Sequence, residues 1–165
     1  MRENYFNATF SNRVKQEIGG TVIKSSDRTT LGLPDSYHAF SGVVTFFEIK
    51  INEAKDAIQI HDGVPSCQPW DAVNDLRQYE VCKRLARCAT VLYIIYHPVA
   101  CTTALIPLDL LALYNRKRND NPLIWLPKGP YLVDGHGVET FNRIRLEKRK
   151  ELYDRLKIEQ SGADA

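Results

Sequence analysis

Charge of one sign, paired cysteines, glycine-rich phosphate loops and uninterrupted apolar runs are all missing from these 165 residues, and each absence removes a class of function. Twenty-two Lys and Arg against twenty Asp and Glu leave a net charge of +2, so bulk charge announces no polyanionic partner and any basic surface must be local. Cys67, Cys82, Cys88 and Cys101 show no C-x-x-C spacing. The polar start "MRENYFNATFSNRVKQE" has no apolar leader, so the expectation is a reducing, cytoplasmic protein with free thiols. The longest apolar region, residues 90–114, is cut by His97-Pro98, Pro107 and Asp109 into pieces too short to cross a bilayer, which predicts a soluble chain with no membrane partner. No P-loop or dinucleotide glycine pattern occurs. The histidines and cysteines fit no usual zinc spacing.

What is present is enough apolar material, 44% of the chain, to close a core without staples. No repeat or long linker divides it, and a single domain over residues 1–160 is expected, with 161–165 as a frayed tail. Phe6, Phe10, Val14 and Ile18 recur every four residues and predict a helix over 6–18, ended by Gly19-Gly20. Strands are expected at 21–26, 33–40 and 43–51, a one-sided helix at 69–89, and a buried strand at 90–96. A strand running into a short helix is expected over 102–118, and a basic helix over 137–159. "NDNP" and "PKGP" read as loops. This order predicts an α/β domain with a central mixed sheet, a hairpin at its core and flanking helices.

The hairpin carries the chemistry. With Ser41-Gly42 as its tight turn, Phe40 faces Val43, Tyr37 faces Phe46, and Asp35 faces Glu48. Like charges placed opposite one another are destabilising, so two facing carboxylates need a reason. Alternation sets Lys50 beside Glu48 and turns Phe47, Ile49 and Ile51 to the other face. A divalent cation between Asp35 and Glu48 converts the repulsion into coordination by hard oxygen ligands. The Lys50 ammonium is then placed to orient a water or to meet charge growing on a phosphate. His38, three positions from Asp35, falls on the opposite face and reads as a core or edge histidine.

Pro34-Asp35 followed thirteen positions on by Glu48-Ile49-Lys50, at the end of an apolar strand, resembles the PD-(D/E)XK nuclease superfamily. That resemblance implies the restriction-endonuclease-like fold and a nuclease acting on DNA phosphodiesters with Mg²⁺ or Mn²⁺. The arrangement is most similar to Holliday-junction resolvases and small relatives, which implies branched DNA as a partner and a homodimer. It implies that Asp35 and Glu48 hold the metal, that the Ile49 main-chain carbonyl reaches it, and that Lys50 is the lysine of the motif. It also nominates Glu17 as an acid from the first helix and Gln78 as the glutamine on the helix after the hairpin. Some members carry a tyrosine four residues beyond that glutamine, where this chain has Cys82.

Candidate backbone contacts are Lys24 and Arg28 just before the hairpin and Arg116-Lys117-Arg118 in an expected loop. The last helix interleaves its basic residues with Glu147, Glu151, Asp154 and Glu159 and reads as a solvated, ion-paired face. Two other readings stand beside the DNA nuclease. One is a non-catalytic DNA-binding or assembly protein that keeps the fold. The other is an RNA-cleaving enzyme, since recognition of a 2′-hydroxyl leaves no short motif.

Overall fold

The computed structural model describes residues 2–25, 32–72, 75–120 and 124–163. Helix α1 (Arg2–Glu17) forms around the four-residue spacing of Phe6, Phe10 and Val14, all buried, and stops at Gly19 and Gly20, whose positive φ turns the chain into the first strand. The strands β1 (Thr21–Lys24), β2 (Ser36–Phe40) and β3 (Val43–Ile51) follow as an antiparallel meander. The β2–β3 turn is Ser41-Gly42, with φ of 50° and 74°, the double left-handed geometry that fixes a two-residue hairpin.

Next come β4 (Ile58–His61) and β5 (Val64–Cys67), a 3₁₀ turn (Pro69–Ala72) and α2 (Leu76–Leu85). The strand β6 (Thr90–His97) runs parallel to β3, and β7 (Thr102–Pro107) returns beside it into α3 (Leu108–Asp120). Short β8 (Leu126–Pro127) and β9 (Leu132–Asp134) precede the long α4 (Val138–Ala163). The result is an α/β architecture: a mixed six-stranded sheet of order β1-β2-β3-β6-β7-β9, with a small sheet β4-β5-β8 beside it.

Helices cover both faces. Phe6, Phe10 and Val14 of α1 and Val138, Phe141 and Ile144 of α4 pack on Phe47, Ile49, Leu92 and Ile94. Tyr79 and Cys82 of α2 and Leu108 and Leu111 of α3 pack on Val91, Tyr93 and Ile95. The strand β6 therefore sends alternate side chains into two cores, as expected of a parallel strand covered on both sides.

Several expectations change. Arg116, Lys117 and Arg118 lie on the last turns of α3, because no glycine or proline interrupts that polar run before Pro122. The single helix expected over 69–89 is a 3₁₀ turn followed by α2, whose start is set by Asp75 accepting the Gln78 N–H at 3.1 Å. Ser161 and Gly162, expected to fray, continue α4. The small sheet was not foreseen; its strand β4 ends at His61, which stacks on Trp125 at 3.9 Å. His38 is a core histidine as expected, donating from Nε2 to the Gly19 carbonyl at 2.8 Å. Among the described residues no helix is long and apolar enough to cross a membrane.

Candidate active site

The hairpin register is the one the turn dictates: Phe40 pairs with Val43, Tyr37 with Phe46, Ser36 with Phe47. Carried one step past the ladder, it brings Asp35 against Glu48, and the Asp35 backbone N–H donates to Glu48 Oε2 at 2.9 Å. The two carboxyl groups are within hydrogen-bonding reach of each other. Lys50 closes the cluster with Nζ 3.4 Å from Glu48 Oε1. Glu48 is 2% exposed, at the base of the site, while the Lys50 side chain keeps 25% of its surface in solvent.

Burial, and then the Asp35 charge, push the Glu48 carboxyl up to about 7, with Lys50 opposing them. At neutral pH, therefore, Glu48 is poised between its protonated and ionised forms. A cation able to replace that proton would meet hard oxygens only.

The main chain adds a third oxygen. In an antiparallel ladder the main-chain groups of alternate residues face the partner strand, and on β3 those of Val43, Thr45, Phe47 and Ile49 face β2. One further step of the register sets Pro34 opposite Ile49, and proline has no N–H to give. The Ile49 carbonyl thus falls on the β2 side of β3, where that strand offers it no amide donor. Two carboxylates and one carbonyl fit Mg²⁺ or Mn²⁺ and leave the rest of an octahedral shell to water and substrate. Among the described residues no cluster of three or more His, Cys, Asp or Glu occurs, so the fit rests on the main-chain oxygen as well as the pair.

The helix α2 supplies one wall. Gln78 and Cys82, one turn apart, are buried on the face that receives the arm leading to Asp35. Gly32 lies so close that a Cβ there would sit 2.9 Å from Gln78 Cα and 3.0 Å from Val81 Cγ2. Gln78 Oε1 is buried and has no hydrogen-bond partner among the described residues. The Cys82 thiol is pushed up to about 12 by burial and by the Glu48 charge, so it is a neutral wall rather than a nucleophile. The Tyr93 hydroxyl, beside that thiol, is raised by burial as well. Sequence reasoning reached Cys82 only as the position four residues beyond Gln78 and passed over Tyr93. Tyr93 was legible only through its pairing with Glu48 across β3 and β6, which a single sequence does not show.

Asp35, Glu48 and Lys50 thus gather at the open end of the hairpin, with Ile49 between the last two in sequence and Gln78 on the α2 wall beside Gly32. The other nominated residues among those described do not. Glu17 ends α1 near Gly19 and Gly20, beside Phe40 at the turn end of the hairpin, in the helix layer on the other face of the sheet; it pairs with Arg13 at 3.1 Å. Lys24 pairs in register with Ser36, which alternates with Asp35, so it belongs to the α1 face. Arg116 lies on α3 near Tyr79 of α2, and Lys117 is exposed beside it. Arg28 and the Arg118 side chain lie outside the described residues. Set against known proteins, the sequence matches no family model and no curated protein, so the reading of the site rests on its own geometry.

Proposed function

We propose that this chain is a metal-dependent nuclease of the PD-(D/E)XK type, built on the restriction-endonuclease-like fold and hydrolysing DNA phosphodiesters, with branched junctions as the substrate branch to test first. The observation that supports it most is the facing pair Asp35 and Glu48, with Glu48 buried and Lys50 paired to it, at a strand end where like charges are costly. A strand that only packed would lose nothing by placing an apolar or uncharged residue at either position.

Asp35, Glu48 and the Ile49 carbonyl would hold Mg²⁺ or Mn²⁺, which supplies Lewis acidity and a water of lowered pKa when bound. The chain's own part is orientation. Glu48 tethers Lys50 through Oε1, and the ammonium can donate both to an incoming water and to a non-bridging phosphate oxygen, where charge grows in the transition state. The Asp35 N–H fixes Glu48 Oε2, so the carboxylate does not turn away from the site. Cys82 and Tyr93 exclude water behind it. No side chain need become a covalent nucleophile.

Cleavage of labelled four-way junction, linear duplex, single-stranded DNA and RNA, with Mg²⁺, Mn²⁺ or EDTA, tests the reading. Metal-dependent cutting should be abolished by Asp35→Asn and by Glu48→Ala, and Lys50→Ala should lower kcat by about a hundredfold or more. No cutting of any substrate, together with no Mn²⁺-induced rise in melting temperature, would instead favour a scaffold that keeps the fold without the chemistry.

A further inference from the structure

The face of α1 that turns toward β1 is polar where a helix against a sheet is ordinarily apolar. Its core stripe is Phe6, Phe10 and Val14. Roughly a third of a turn around the helix lies a second stripe, Asn4, Asn7, Ser11 and Lys15. With Lys24 of β1 and Ser36 of β2 it lines a groove of about 310 Å³. Asparagine is a poor helix former, so repeated use of it here is not explained by helix stability.

Two of the groove's polar residues are almost fully enclosed: Asn7 is 8% exposed and Ser36 is 0% exposed. Asn7 Oδ1 accepts the Ser11 hydroxyl at 3.1 Å, leaving its Nδ2 as a donor. Among the described residues the Ser36 hydroxyl, which lines the groove, has no hydrogen-bond partner, an unmet need for a buried group. The groove therefore offers amide and hydroxyl donors and two ammonium groups, and among the described residues no carboxylate lines it. That donor set suits the non-bridging oxygens of phosphodiesters.

Position joins the groove to the carboxylates. Ser36 follows Asp35 directly and points to the opposite face of the same strand end. From Asn4 to Lys15 the stripe extends roughly 16 Å, long enough for more than one phosphate. We propose that this groove between α1 and β1 carries the phosphodiester backbone of the nucleic-acid substrate as it passes the open end of the hairpin; the inference rests on the nuclease reading above.

The test uses the full chain in the Asp35→Asn background, where nothing is cut, with fluorescence anisotropy of labelled duplex and single-stranded DNA over a salt series. Adding Lys15→Ala and Lys24→Ala should weaken binding about tenfold and lower the slope of log K against log salt by roughly 2. Lys150→Ala with Lys157→Ala, an equal loss of charge on α4, is the control, and a groove effect no larger than the control's overturns the inference. A second readout is the side-chain amide resonances of Asn4 and Asn7, which should shift with a short oligonucleotide beyond any shift given by inorganic phosphate at the same concentration. Equal shifts with both identify a small-anion site and overturn the backbone assignment. If the wild-type chain cuts DNA while the groove variants bind unchanged, only this inference fails. A wild-type chain that neither binds nor cuts nucleic acid removes the nuclease reading with it.

Discussion

Glu48 and His97 are buried ionisable residues whose pH effects oppose one another. The Glu48 carboxyl, raised to about 7, is protonated in both folded and unfolded chains below its ordinary value of 4.5. Between 4.5 and about 7 only the unfolded chain ionises, so metal-free stability falls as pH rises, by on the order of 3 kcal/mol across the window. His97, 2% exposed, is depressed by burial to about 4. Its contribution is fully present above 6.5, the unfolded value, and is lost as pH falls toward 4. The two slopes nearly cancel where they overlap. In EDTA, Glu48→Gln should therefore melt progressively higher than the wild type as pH rises from about 4.5 to 8, and His97→Asn should melt higher than the wild type only on the acid side. Parallel melting curves for Glu48→Gln and wild type at every pH would remove Glu48 as the strained carboxyl.

At the scale of elements, the arm that ends in Asp35 is held by contact with α2. Gly32 has a φ of +92° and no room for a Cβ against Gln78 and Val81. Gly32→Ala should cost about 1–3 kcal/mol of stability and, by shifting Asp35, lower kcat/KM at least about tenfold. Gly42→Ala also meets a positive φ, but nothing lies within 4 Å of its Cβ, so it should destabilise the turn and leave kcat/KM close to wild type in the folded fraction. Phe10→Ala separates core from site in another way. The ring is fully buried and meets Phe47 and Phe141 edge-on, at 5.7 and 5.4 Å, on the face away from Glu48. It should cost about 3–5 kcal/mol, lowering the melting temperature by roughly 10 °C, with kcat retained below the transition.

The same elements show what a single sequence could carry. The opposition of Asp35 and Glu48 was legible because a two-residue turn leaves a hairpin one register and alternation then settles each face. Glu17 stands apart from the carboxylate pair because alternation says which residues share a face but not which layer α1 will occupy. The β4–β5 hairpin was missed although Asp62 and Gly63 have the paired positive φ of a tight turn. Its strands carry an exposed Ile60 and an in-strand Pro65, which blur the alternation. The strands β8 and β9 are two and three residues long, and their pairing with β5 and β7 is set by the assembled fold rather than by local pattern.

Across the whole molecule, the sheet separates the two tasks proposed for it. Carboxylates, lysine and α2 stand on one side of the hairpin, and the polar groove of α1 and β1 on the other, meeting at the strand end where Asp35 and Ser36 alternate. The pairing of β3 with β6 also has a kinetic consequence. It joins Thr45 to Thr90, whereas Asp35 and Glu48 are only thirteen positions apart. A local hairpin closes in about 1–10 μs, well before such a distant parallel pairing. The folding chain must bring the two acids together before the buried sheet exists to hold them. Refolding of the metal-free protein should accordingly be faster near pH 5 than near pH 8, read by stopped-flow fluorescence, and Glu48→Gln should fold at the faster rate at both. The residue pair that marks the site would then also be a brake on the nucleation of its own sheet.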